Sequence, residues 1–155
     1  MRIAAAIFSM VALIVCWTIS QPAVAINAAQ PQYCQGQATT STPINNAGSS
    51  TSLKLISKVS SKKVYVCAIN IGPVAGAVNV ALVEGTKTTT ECDTSTAGMA
   101  GGTTAATGWQ FAANGGLTMG DGVGQIAKTA NANFDVCLLF STGVQVSGVI
   151  TWAQF

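Results

Sequence analysis

The chain of 155 residues carries seven basic and five acidic side chains, no histidine and 49% apolar residues, for a net charge of +2. Nucleophile systems built on an imidazole, Ser–His–Asp or Cys–His, are therefore excluded. With Arg2 the sole arginine and the remaining charges nearly balanced, the chain also lacks the basic surface on which nucleic-acid binders rely.

Residues 1–25, "MRIAAAIFSMVALIVCWTISQPAVA", show a short positive start, an apolar run and small residues at 23 and 25, the pattern of a secretory leader cleaved after Ala25. No membrane span is expected after cleavage. Residues 26–50 are polar, punctuated by Pro31 and Pro43, and are expected to form an extended arm tied down at Cys34. From residue 51 the pattern changes to a period of two. "LKLISKV" (53–59), "KKVYVCAINI" (62–71), "AVNVALVE" (77–84), "FDVCLLF" (134–140) and "VQVSGVITWA" (144–153) alternate or are β-branched throughout. Such strands, separated by turn signals, predict an all-β antiparallel sandwich over 51–155, stapled by disulfides. "IGPVAG" (71–76) should end one strand, and "STG" (141–143) should close the last two as a tight hairpin with Gly143 at positive φ. Residues 85–107 are too long for an unstapled loop, and Cys92 is the expected staple.

The leader would remove Cys16 and leave Cys34, Cys67, Cys92 and Cys137, an even number that suits two disulfides in an exported chain. A metal site is disfavoured, because there are no close cysteine pairs and no histidines. Pairing strand with strand and loop with loop gives Cys67–Cys137 and Cys34–Cys92. Parity argues against part of this: it sets Asp135, Cys137 and Leu139 on the outer face of their strand, where a bridge must reach a covering loop.

Little else reads as chemistry. Ser57, Ser60 and Ser61 lie near Lys58 and Lys62, but those lysines are expected to be exposed at a strand end or turn, without the desolvation that activation requires. Any two of Glu84, Glu91, Asp93 and Asp121 could form a carboxylate pair by chance. Glu91 and Asp93 are expected only to solvate the Cys92 loop. "GDGVG" (120–124) offers one carboxylate, too few for Ca²⁺. The glycine-rich stretch "GGTTAATGWQFAANGG" (101–116) lacks the strand–loop–helix context of a phosphate cradle, so its glycines are read as turns and close backbone contacts. Trp109, Phe111 and Trp152 are expected to be core anchors. No catalytic residue, cofactor or metal ligand is expected.

The order of "KKVYVCAINI", "NVALVEGT", "AANGG" (112–116) and "QVSGVITW" (145–152) resembles a group of small proteins encoded by tailed bacteriophages and prophages, over about residues 52–155. The resemblance implies a jelly-roll-like sandwich associated with the virion or with the outside of an infected or lysogenic cell. The expected leader departs from ordinary capsid proteins, which assemble in the cytoplasm. The expected function is thus a non-enzymatic exported structural or attachment module. A bacterial surface or matrix protein that binds glycans or self-assembles is the alternative. Expected partners are copies of itself, virion or cell-surface proteins, and a glycan.

Overall fold

The computed structural model describes residues 33–155, and the expected leader lies outside them. Ten strands form two five-stranded antiparallel sheets: β1 (Thr40–Ala47), β2 (Ser52–Ile56), β3 (Val64–Ile71), β4 (Val78–Thr86), β5 (Thr94–Ala100), β6 (Trp109–Phe111), β7 (Leu117–Met119), β8 (Ala127–Lys128), β9 (Asp135–Phe140) and β10 (Gln145–Gln154). One sheet, sheet A, runs β1-β10-β3-β7, with β8 also on β3. The other, sheet B, runs β2-β9-β4-β5, with β6 also on β4.

The connectivity is that of a rolled hairpin. The first strand pairs with the last, β2 with β9, β3 with β7 and β8, and β4 with β5 and β6. Folding the chain back near residues 87–93 and rolling the resulting ribbon adds the β3–β10 and β4–β9 pairings. This is a jelly roll, and the all-β, disulfide-stapled sandwich expected from the sequence is the fold observed.

The core lies between the sheets. Val78, Val80 and Leu82 of β4, Val136, Leu138 and Phe140 of β9, Ile44 of β1, and Val146 and Ile150 of β10 are all buried there. Full burial of each such aliphatic side chain is worth about 1.5–3 kcal/mol. Strand β3 could not supply an unbroken alternation, since its buried core residues are Val64, Val66, Ile69 and Ile71. The register resolves this: Trp152 pairs with Val66 and Thr151 with Ala68, so Cys67 is an extra residue on β3. That bulge resets the parity and keeps four aliphatic side chains inside while Cys67 faces out.

Three sequence expectations are corrected. The polar arm extends no further than residue 39, because Thr40–Ala47 is an edge strand of sheet A. Its polarity is compatible with burial: Asn46, 3% exposed, donates its amide to Ser50 O (2.9 Å) and Val144 O (3.1 Å). Pro43, which has no N–H to donate, is tolerated because β1 is paired on one side only. Second, "STG" is no hairpin: β9 and β10 lie in different sheets, and Gly143 is absent from the positive-φ residues. Third, the 85–107 stretch contains β5, which pairs with β4 through two register shifts.

The glycines of 101–116 act as backbone geometry, as expected. A Cβ on Gly101, whose φ is +77°, would stand 2.7 Å from Cε2 of Trp109, so the indole lies flat against this residue. The β3–β4 crossover is likewise held from within: Val74 is fully buried, with its N–H on Gly115 O (3.0 Å) and its carbonyl accepting from Asn114 N (2.8 Å).

Candidate functional site

Each sheet buries one face in the core and turns the other outward, and each outward face carries a disulfide. On sheet A, Cys67 is bonded to Cys34, with Cα atoms 5.9 Å apart. On sheet B, Cys137 is bonded to Cys92, with Cα atoms 6.2 Å apart. The strand-to-strand pairing Cys67–Cys137 is therefore wrong, and with it Cys34–Cys92. The two strand cysteines point away from each other across two layers of sheet, whose backbones pack about 10 Å apart. Each instead reaches a segment lying over its own face, as the parity of Cys137 required. The bonds place the folded chain in an oxidising, non-cytoplasmic environment.

The sheet B face is closed. Ala81 and Val83 of β4 are fully buried with Cys92 and, beside them on β9, their register partners Leu139 and Cys137. Residues 87–93 form the cover, and the two acids flanking Cys92 brace it rather than merely solvate it. Asp93 accepts from Thr88 N and Thr89 N (2.7 Å each) and Thr90 N (2.8 Å). These backbone donors, Thr90 foremost, hold its carboxyl down at about 2. Glu91 bonds Lys87 at 2.7 Å, which lowers the Glu91 pKa and raises that of Lys87, and it lies 3.7 Å from Lys54. A cleft of about 400 Å³ beside this loop has a mixed lining, with Thr51, Thr90, Thr96 and Thr104 facing it alongside Leu139 and Phe140.

The depressed Asp93 pKa fixes a pH dependence. A carboxyl that titrates lower folded than unfolded adds stability above its unfolded pKa, near 4, and loses that contribution as pH falls toward 2. Thermal melts from pH 6 to pH 2 should therefore show a steeper acid decline in the wild type than in Asp93→Asn. Superimposable pH profiles would show that the three amides do not bias the carboxyl.

On sheet A, among the described residues, the cover is smaller: it buries Cys34, Cys67 and Ala153 but leaves Tyr33 and Phe155 more than a third exposed. This face carries Cys34–Cys67 with Ala153 and Tyr65 packed around it. Tyr65 stacks on Phe155 with centroids 4.3 Å apart and planes 6° from parallel, and it touches Tyr33 at 5.1 Å. Lys63 exchanges both backbone hydrogen bonds with Phe155, at 3.0 and 3.2 Å, and Lys128 stands opposite Tyr65 in register. Sequence reasoning left Tyr33 and Tyr65 undecided between core and surface, and it neither named Phe155 nor brought the three rings together. The signal available was the shared parity of Lys63, Tyr65 and Cys67.

The expected core anchors sit at the core margin. Trp109, Phe111 and Trp152 are half-buried and pack against the main cluster, and Trp152 Nε1 donates to Thr42 Oγ1 at 2.9 Å. Truncating a fully buried tryptophan costs about 3–5 kcal/mol. The half-exposed site should bring Trp152→Ala to about 2 kcal/mol by urea denaturation, and a change below about 0.5 would mean that the indole is not held.

The remaining acids serve local structure. Glu84, 1% exposed, accepts from Asn131 Nδ2 at 3.3 Å, and Asp135 accepts from Lys58 N at 2.7 Å. Asp121 takes the amides of Val123 (2.9 Å) and Gly124 (3.2 Å), which lowers its pKa. Among the described residues no three His, Cys, Asp or Glu side chains are grouped to hold a metal, and no helix is long and apolar enough to cross a membrane.

The class defined by these features is a jelly-roll domain with a staple on each outer face, the cover among the described residues being wider on sheet B than on sheet A. No protein-family profile matches the chain, and no curated protein matches it.

Proposed function

We propose that the chain is a non-enzymatic, exported structural or attachment module of phage or prophage origin, working through the outside of its sandwich. One observation carries the reading: the two outer faces are treated differently. Sheet B is sealed under Cys92 and an ion-paired loop, whereas sheet A leaves partly exposed aromatic rings beside exposed lysines. Asp93, Asp121 and Asp135 accept backbone amides and Glu91 is ion-paired, while Glu84 accepts one side-chain amide on Oε1 and has no partner on Oε2. Sparse charge, 8% of residues, suits burial of a face in an assembly. The leader pattern of residues 1–25 and the two oxidised pairs support export.

The test is fractionation of a culture producing the chain into purified phage particles, cell envelope and spent medium, with intact mass measured without reductant. The expected result is a chain beginning at Ile26, all four thiols consumed, recovered with particles. Recovery with the envelope of a strain making no particles would favour a bacterial surface protein instead. Free thiols, or a chain retained in the cytoplasm, would overturn the reading.

A further inference from the structure

The outer face of sheet A has a specific chemistry. Tyr33 and Phe155 are 38% and 39% exposed, and both contact the half-buried Tyr65 between them in the cluster. Three lysines lie close to this cluster along the chain or across the sheet. Lys63 lies two residues before Tyr65 and so shares its side of the sheet, Lys128 opposes Tyr65, and Lys62 is exposed in the adjoining turn. The six lysines of residues 33–155 divide by partner. Among the described residues, salt bridges occur only at Lys54 and Lys87, both to Glu91 over sheet B. Lys58, Lys62, Lys63 and Lys128 form no salt bridge among the described residues, and the last three belong to β8 or to the turn leading into β3. Asp121, in the β7–β8 connection, is turned to the amides of Val123 and Gly124.

We infer that this face binds a carboxylate-bearing glycan, with sugar rings laid on Tyr33 and Phe155 and uronate groups on Lys62, Lys63 and Lys128. A pyranose ring presents a flat C–H face to an aromatic ring and hydroxyls to its rim, and a uronate adds one negative charge per sugar. Lysine suits this ligand, being a mobile point charge, whereas phosphate recognition favours the bidentate arginine that residues 33–155 lack. Bare polyanion attraction would need no rings, and a membrane surface would draw apolar side chains into lipid rather than stack them on one another. The inference rests on the attachment reading and names its ligand class.

The test is affinity electrophoresis of the oxidised full chain through gels containing polygalacturonate, with neutral dextran as the reference polymer. Polygalacturonate should retard the chain and dextran should not. Lys62→Gln/Lys63→Gln/Lys128→Gln should weaken retardation at least tenfold, and so should Phe155→Ala, which leaves the charge unaltered, while Lys54→Gln has little effect. Circular dichroism and unreduced mass establish that each variant is folded and bridged. Equal retardation by both polymers, or a Phe155→Ala variant as strongly held as the wild type, would overturn the proposal. So would equal or tighter binding to a single-stranded DNA oligonucleotide or to phosphatidylglycerol vesicles. A chain that fractionates with particles or envelope yet ignores polygalacturonate removes the glycan and leaves the attachment role. One that binds polygalacturonate yet stays in the medium removes the attachment role.

Discussion

Replacing Cys92 and Cys137 together by alanine is expected to lower the stability of the domain by about 4 kcal/mol. The bond spans 45 residues, and the loop-closure entropy it removes from the unfolded chain sets that magnitude. Loss of cover acts in the same direction: Cys92 is 1% exposed and packs with Ala81, Val83 and Cys137 on the outer face of sheet B. Gly85 shows how close the cover sits, since a Cβ there would stand 3.2 Å from Cβ of Cys92 and 3.1 Å from Thr94 O. Urea denaturation should give a lower midpoint. A loss under about 1 kcal/mol would mean that Asp93 and its three amides hold the loop without the bond, far below the usual worth of a native disulfide. Removing Cys34–Cys67, which closes 33 residues, should cost somewhat less, because its cover rests on Tyr65 and Ala153 at the sheet margin. Small domains hold only about 5–15 kcal/mol in total, so loss of both bonds should leave little folded protein at 37 °C.

What could be read in the sequence followed parity, and what could not depended on which sheet a strand joins. Val78, Val80 and Leu82, or Val136, Leu138 and Phe140, announce an inward face because each strand is regular from end to end. The same regularity placed Cys137 outward. Parity says only in or out, however, and both strand cysteines are out, on opposite sheets, which no one-strand pattern distinguishes. "STG" looked like a hairpin for the same reason, since a short turn between two strands is spelled alike within a sheet and between sheets. Strand β1 was hidden by Pro43, Asn45 and Asn46, residues that an edge strand tolerates and a propensity argument does not. Strand β5 was hidden by Gly98 and by Ser95, which adopts φ 54°. The aromatic cluster joins residues 33, 65 and 155, so it exists only once the roll has closed.

Gly148→Ala is expected to destabilise the domain by about 3 kcal/mol, a single methyl with the effect of a large core truncation. Gly148 lies in "QVSG" (145–148), and its place in the fold supplies a physical reason for glycine there. Strand β10 is the inner strand between β1 and β3, and Gly148 pairs with Ile44 on one side and Ile71 on the other. A Cβ at 148 would run into the carbonyl oxygen of Asn70 and stand 3.1 Å from both Asn70 C and Ile71 Cα. All three obstacles are backbone atoms of β3, which is bonded to β7 on its far side and cannot retreat without breaking that pairing. The strain should appear as a lowered urea midpoint, with Gly124→Ala as the reference, since a Cβ at 124 meets nothing within 4 Å. That reference should move stability by less than about 1 kcal/mol in either direction. A Gly148→Ala protein as stable as the reference would mean that β3 and β10 do not approach as described. The β3 bulge at Cys67, whose phase depends on the same pairing, would then have to be redrawn together with the outward course of Tyr65.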